Sequence, residues 1–288
     1  MKTFSIDGVL CNESSAVISV TDHGFLYGDG VFEGLRFYGN RVLKLTAHLK
    51  RLEESAIAIN LQLPMSSPEL QTAVTDIVAA SKHDDGYLRL VITRGVGPLG
   101  IDPRQCKKGK VIIIADQLTM MSPEVKERGA NVIIASTRRL AGDQLDSRIK
   151  SLNYLNQIMA RLEANSAGAD EGIMLNQSGY IAEGTADNVF IVKDGQLLTP
   201  PVTDGALEGI TRGLVMELAA GLSIIVRERS LTLFDLFTAD ECFLTGTGAE
   251  LIAVRQVAGR MIKFSPGPVF QSIKKQFQLE LQKETFFS

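Results

Sequence analysis

Two α/β domains built on mixed sheets are what this sequence predicts, and three observations carry the prediction. The chain has 288 residues and is 45% hydrophobic, enough for two domains of ordinary size with buried cores. Strand-like and helix-like stretches alternate without recurring as regular βαβ units, so mixed sheets are expected. The stretch Gln117–Pro123 reads as a boundary. It separates a small α/β domain, 1–117, from a large one, 124–288, with 118–123 as the loop between them.

In the first half, residues 3–20 alternate in polarity around Asp7-Gly8 and read as a hairpin. Five glycines follow: Gly24, Gly28, Gly30, Gly34 and Gly39. No G-x-x-x-x-G-K-[ST] and no βαβ frame accompany them, so they fit a strand that another backbone approaches closely better than a phosphate loop. Gly39-Asn40 marks a further hairpin turn. Thr46 is expected to cap a helix running to about Asn60, with Leu49, Leu52, Ala56 and Ile59 on its buried face and Arg51 beside it. Ser67-Pro68 starts a second helix. Tyr87–Arg94 reads as a strand, residues 95–109 as a loop, and Val111–Ala115 as a buried strand.

In the second half, Ser122-Pro123 opens a short helix and Asn131–Ala135 is a strand. A loop over 137–149 leads to Lys150. A helix is expected from Ser151 to near Ala167-Gly168, with Leu152, Leu155, Met159 and Leu162 as its packed face. Ile173–Leu175 and Asn188–Val192 are strands, the second turning at Asp194-Gly195 into Leu197-Leu198. Gly209-Ile210-Thr211 opens another helix. Glu241–Glu250 reads as a strand ending in a Gly-Thr-Gly turn, and an amphipathic helix runs from Val269 to about Glu284.

Composition excludes several classes of function. A net charge of −3 argues against a nucleic-acid binder, and no apolar run approaches the ~20 residues that span a bilayer. Asp7 arrives too early for a signal peptide. Three scattered cysteines (Cys11, Cys106, Cys242) suit a reducing compartment. Neither they nor His23, His48 and His83 have metal-ligand spacing. A cytoplasmic protein acting on small molecules, without a metal, a membrane or a nucleic-acid partner, is expected.

Two residues point to carbonyl chemistry. Lys150 lies in a short polar turn beside an apolar-periodic helix; most such lysines are solvated. One tethered close to a core can be desolvated, which lowers its pKa from about 10.4 and gives an amine able to form Schiff bases. Glu183 sits at a turn before the strand at Asn188. It reads either as a surface carboxylate or as one that keeps a heterocyclic nitrogen protonated, as the electron-withdrawing ring of pyridoxal phosphate requires.

The runs Lys150-Ser-Leu-Asn-Tyr-Leu-Asn, Tyr180-Ile-Ala-Glu183-Gly-Thr-Ala-Asp-Asn-Val-Phe and Leu207-Glu-Gly-Ile-Thr211-Arg resemble the fold-type IV pyridoxal-phosphate family. That family holds branched-chain aminotransferases, D-amino-acid aminotransferases and aminodeoxychorismate lyases. The resemblance covers nearly the whole chain. It implies a two-domain fold with the active site between the domains, pyridoxal 5'-phosphate as cofactor, and at least a homodimer in which residues such as Tyr27 reach a neighbour's site. It implies Lys150, carried by the large domain, as the Schiff-base lysine that also moves the Cα proton, and Glu183 as the partner of the ring nitrogen. Arg51, in His48-Leu-Lys-Arg51-Leu, is implied to grip the phosphate with Ile210, Thr211 and Thr247. Leu207 is implied to pack on the ring, and Tyr154 to lie near its phenolic oxygen.

The first domain carries the substrate question. Tyr27-Gly-Asp-Gly-Val-Phe32-Glu-Gly-Leu-Arg36 and Tyr87-Leu-Arg89 are similar to the branched-chain branch. That likeness implies Phe32 as an aromatic wall, Tyr27 nearby, and Tyr87 with Thr247 and Gly248 as receivers of the substrate α-carboxylate. Arg89 or backbone donors are left to serve the second, acidic substrate. Leu99 and Ile101 stand where the D-amino-acid branch has its carboxylate trap, while Arg104 keeps that branch open. Glu33-Gly34 replaces the Thr-Thr pair of the lyases. The expectation is transamination of branched-chain L-amino acids with 2-oxoglutarate. D-amino-acid or (R)-amine transamination and the lyase reaction are the alternatives.

Overall fold

The computed structural model describes residues 2–117 and 121–283. Its contacts divide the chain into two units. Residues 2–117 and 149–153 belong to the first, and 121–148 and 154–282 to the second. The segment holding Lys150 thus packs with the first unit, whereas the sequence reading gave it to the larger domain.

The first unit is a six-stranded sheet with helices. Its strands are β1 (Thr3–Ile6), β2 (Val9–Cys11), β3 (Gly30–Tyr38), β4 (Arg41–Val42), β5 (Gly86–Thr93) and β6 (Lys110–Asp116), in the order β2-β1-β6-β5-β3-β4. Every pairing is antiparallel, so this sheet is not mixed. Helices α1 (His23–Tyr27), α2 (Leu45–Ala58) and α3 (Ser67–Ala79) complete it. The Asp7-Gly8 hairpin forms, but its strand ends at Cys11.

Side-chain alternation gives β3 two distinct faces. Val31, Leu35 and Phe37 join Leu52 of α2 and Leu70 and Ile77 of α3 in one core. Phe32, Gly34 and Arg36 point the other way, across from Val91, Arg89 and Tyr87 of β5. Helix α2 starts at Leu45, with Lys44 as its N-cap at φ 50°, so Thr46 lies inside the helix and does not cap it. Helix α3 is fixed by Glu69, which accepts from the Ser66 backbone N–H (2.7 Å) and hydroxyl (2.6 Å).

The second unit is a nine-stranded mixed sheet. Its strands are β7 (Ala130–Ile134), β8 (Glu171–Leu175), β9 (Ile181–Glu183), β10 (Asn188–Lys193), β11 (Gln196–Thr199), β12 (Val226–Glu228), β13 (Glu241–Gly246), β14 (Glu250–Val257) and β15 (Arg260–Met261). The order is β12-β11-β10-β13-β14-β7-β8-β9, with β15 on β14. The pairs β11/β12, β14/β7 and β7/β8 are parallel and the others antiparallel. Helices α4 (Pro123–Arg128), α5 (Leu155–Ser166), α6 (Ile210–Gly221), α7 (Leu233–Phe237) and α8 (Pro268–Glu280) surround it. The sequence reading lacked the short β9, β12, α7 and β15 and also β14, the eight-residue strand that returns after the Gly-Thr-Gly turn.

Helix α5 departs from expectation twice. It begins at Leu155, not Ser151, because the preceding backbone is used elsewhere: Ser151 bridges to Val31, and Leu152 N–H donates to Gly30 O (3.0 Å). Its buried residues are Ala160 and Ala164. They lie so close to β8 that a Cβ on Gly172 would sit 3.3 Å from the Ala160 carbonyl, and only small residues fit there. Of the predicted face, Leu155 (69%), Met159 (49%) and Leu162 (51%) are exposed, as is their neighbour Ile158 (50%), while Leu152 is half-buried and lies before the helix.

Val189, Ile191, Leu244 and Ile252 join one core on the second sheet. Their strand neighbours Phe190 and Phe243, also fully buried, are stacked at 5.2 Å, with Phe270 of α8 tilted against Phe243 at 5.4 Å. Phe243→Ala should destabilise the protein by about 3–5 kcal/mol. Urea unfolding of the variant is expected to show a correspondingly lower midpoint.

Candidate active site

Within the first unit, Lys150 is held by its backbone. Its carbonyl accepts from Phe32 N–H (2.9 Å), and its own N–H donates to Ser55 Oγ (3.1 Å) on α2. The side chain is half-buried, with Nζ 4.7 Å from the centre of the Phe32 ring. The Arg89 guanidinium lies 4.3 Å from the same ring centre and 5.8 Å from that of Tyr87. A Cβ at position 34 would overlap the Tyr87 hydroxyl. Gly34 is therefore required wherever Tyr87 takes this position. Phe32, Gly34, Tyr87 and Arg89 occupy one face of the sheet, with Lys150 against it.

Arg51 is buried, not solvated. Its Nε donates to Glu33 Oε1 (2.7 Å) and its Nη2 to Glu33 Oε2 (2.8 Å), and Glu33 is fully buried. His48, one turn earlier on α2, has Nδ1 2.8 Å from Oε2. Burial alone would push the Glu33 carboxyl up; the Arg51 charge, then His48 and the hydrogen bonds, reverse this and hold it far below the usual carboxylate range. Burial pushes His48 below 6.5, Glu33 opposes this, and the charges of Arg51 and Lys150 add to the lowering. A neutral imidazole facing an ionised carboxylate must donate, so Nδ1 carries the hydrogen.

Tyr27 is 37% exposed at the end of α1, and its hydroxyl accepts from Gly100 N–H (2.8 Å). It anchors the loop that carries Leu99 and Ile101. Arg104 closes on Asp102, its Nε 2.9 Å from both carboxylate oxygens.

Within the second unit, Glu183 ends β9 and is 6% exposed. Its Oε1 is 2.9 Å from Arg139 Nη2. Its Oε2 accepts from Leu207 N–H (2.9 Å) and, at 3.4 Å, from Asn188 Nδ2. Asn188 Nδ2 also donates to Leu207 O (2.9 Å). A Cβ on Gly209 would overlap Asn188 Oδ1, so the residue that opens α6 must be glycine. One carboxylate and one amide thus fix Leu207 and pack against Gly209 at the start of α6. Gly209 offers α6 no side-chain cap, and Thr211 is buried just inside. The Gly246-Thr247-Gly248 segment joins β13 to β14, with Thr247 half-buried. Beside it Thr245 is fully buried, and its Oγ1 has no hydrogen-bond partner among the described residues. Tyr154 is half-buried immediately before α5.

The amino-transferase class IV family model matches residues 30–257. The chain belongs to the class IV amino-transferases. It is 45% identical over 274 residues to a putative branched-chain-amino-acid aminotransferase of Methanocaldococcus jannaschii, spanning 95% of this chain and 94% of that protein. The Escherichia coli branched-chain amino acid aminotransferase structure superimposes with a TM-score of 0.93 at 35% identity, covering 96% of this chain and 93% of that one. The branched-chain amino acid aminotransferase from Thermobaculum terrenum, solved in its PLP-bound holo form, does so at 0.87 and 29% identity, covering 97% and 93%.

Pyridoxal 5'-phosphate fits the residues that this class IV chain presents. The uncapped start of α6 directs backbone N–H groups outward as an anion site, and the orphaned Thr245 hydroxyl lies by the neighbouring turn. Glu183 offers a buried carboxylate to a protonated ring nitrogen, and Lys150 offers an amine. Sequence reasoning missed Arg139, Asn188 and the Glu33–His48 support of Arg51. Asn188 lies inside a quoted motif and Glu33 inside another. Arg139 stands 44 positions from its partner in a loop without periodicity, and no local signal marks it.

Glu33→Gln leaves the buried Arg51 charge without its counter-ion and should cost about 3–5 kcal/mol near neutral pH. The Glu33 pKa is depressed in the folded state, so its contribution is complete above the unfolded value near 4.5 and fades as pH falls below it. Urea unfolding at a series of pH values should show a gap between wild type and variant that is flat above about pH 5 and narrows below pH 4.5.

Proposed function

We propose that this chain transaminates branched-chain L-amino acids with 2-oxoglutarate, giving branched 2-oxo acids and L-glutamate. The observation that carries the reading is the sheet face beside Lys150. The Phe32 ring supplies an apolar wall, the Tyr87 hydroxyl fills the space that Gly34 leaves, and Arg89 stands over the same ring. An apolar side chain packs on such a wall, and a guanidinium suits the second carboxylate of an acidic substrate. The Asp102–Arg104 pair gives the D-amino-acid alternative less support, since that arginine is already engaged.

When bound, pyridoxal phosphate supplies an electron-withdrawing ring that takes up the electrons released at the substrate's Cα. Lys150 provides the amine that holds the cofactor's carbonyl carbon, and its Nζ takes up and returns the Cα proton. Glu183 would accept from the ring nitrogen and so favour its protonated form. Arg51, aimed by Glu33, binds phosphate together with the Ile210 and Thr211 N–H groups and the Thr247 hydroxyl. Leu207 would pack on the ring and Tyr154 would lie near its phenolic oxygen. Tyr87, Thr247 and Gly248 receive the α-carboxylate. Tyr27 acts through the loop it anchors.

The exposed stripe of Leu155, Ile158, Met159 and Leu162 supports a homo-oligomer, at least a dimer, because apolar residues at this helical spacing favour a packed partner. The unpaired cysteines support a cytoplasmic setting. No described helix is long and apolar enough to cross a membrane.

The deciding experiment is a half-reaction followed by cofactor absorbance. L-leucine should change the spectrum of the wild type rapidly and D-alanine should not; the reverse result sinks the branched-chain reading. Lys150→Ala should bind cofactor without turnover. Met159→Glu should lower the oligomeric state seen by light scattering, and an unchanged mass would remove α5 from the interface.

A further inference from the structure

Glu183 shares its carboxylate with a buried arginine. Arg139 Nη2 lies 2.9 Å from Oε1, and both side chains are over nine-tenths buried. Arg139 is not held by this ion pair alone. Its Nε donates to Gly205 O (3.1 Å) and its backbone N–H to Leu175 O (2.9 Å). Gln177 Nε2 donates to its carbonyl (3.2 Å). The Arg139 backbone is thus tied to β8 and its guanidinium to the segment leading to Leu207. The side chain is therefore held at two points, the Glu183 carboxylate and the Gly205 carbonyl, and its backbone at two more.

We propose that Arg139 is a positioning residue that keeps the shared proton on the cofactor's ring nitrogen. This rests on the reading of Glu183 as that nitrogen's partner. Two arrangements of one proton compete at such a contact. Either the nitrogen is protonated and faces a carboxylate, or the nitrogen is neutral and faces a carboxylic acid. In a buried setting the neutral arrangement escapes the cost of separating two charges. Arg139 changes the balance because it touches the carboxylate itself. Its charge stabilises ionised Glu183 at contact distance and repels a protonated ring nitrogen from one group further away. The Leu207 N–H and the Asn188 amide act in the same sense without charge, since both donate to Oε2. No proton is gained or lost overall; the guanidinium decides on which atom it resides. Only the protonated ring draws electrons strongly from the reacting carbon, so Arg139 governs a chemical step it never touches.

The test uses protein reconstituted with pyridoxal phosphate carrying 15N at the ring position, read by the 15N chemical shift of the bound cofactor. Wild type should show a protonated nitrogen. Arg139→Met should move the shift toward that of a neutral pyridine. It should also lower kcat by roughly tenfold to a hundredfold, the range usual for groups that tune a ligand from one shell out, with little change in KM. Arg139→Lys keeps a positive charge and should stay near the wild-type shift. A purely structural role would not separate these two variants. Should Arg139→Met fail to take up cofactor, Arg139→Gln, which retains a donor for the Gly205 carbonyl, is expected to give the same displaced shift. A wild-type shift in whichever uncharged variant binds cofactor overturns the proposal. Glu183→Gln separates the two levels of inference. If its ring shift also equals that of wild type, the Glu183 reading fails. If Glu183→Gln moves the shift and Arg139→Met does not, only the role of Arg139 fails.

Discussion

A buried carboxylate on the core side of β3 sets the geometry of the first unit. Glu33 lies on the face whose other members are Val31, Leu35 and Phe37, where an unpaired charge could not persist. Two side chains one turn apart on α2 satisfy it, and a bidentate guanidinium tolerates little sliding or rotation of helix on sheet. The next turn of the same helix presents Ser55 to the Lys150 backbone. The Lys150 backbone is thus tied to the helix that a buried charge pair locks onto the sheet.

The second unit repeats this logic with different parts. Glu183, Asn188 and Leu207 are joined by hydrogen bonds among 25 residues of chain, and Gly209 is the residue that lets Asn188 close against α6. One cluster therefore fixes both the Glu183 carboxylate and the start of α6. Glu171 steadies the adjoining turn: it accepts from the Thr185 N–H and hydroxyl and pairs with Arg161. In both units the groups that would touch the cofactor are aimed by buried polar neighbours.

Much of this was legible in the sequence because it is local. The Lys150 and Glu183 motifs, the Gly-Thr-Gly turn, the start of α6 and most strands have short-range signatures of turn residues and apolar runs. What escaped depends on distance or on shape. The Arg139–Glu183 pair joins distant segments and leaves no pattern. The apolar stripe of α5 was recognised as a face, but periodicity does not say what covers a face, and Ala160 and Ala164 occupy the close side. The start of α5 was misplaced because the residues before it spend their backbone groups on β3. The cap of α2 was misplaced because Lys44 adopts a left-handed conformation that its identity does not advertise.

The passage of residues 149–153 into the first unit, between two stretches of the second, bears on how such a chain can be inherited. The first unit is not a cassette joined to the rest of the chain at a single seam. A fragment ending at Asp116 would lack the backbone partners that Gly30, Val31 and Phe32 have here. Exchange of first units between relatives would have to carry that short segment along or match it. The strand that receives the lysine and the segment that delivers it are therefore expected to change together, as a lock and its own key, even though more than a hundred residues lie between them.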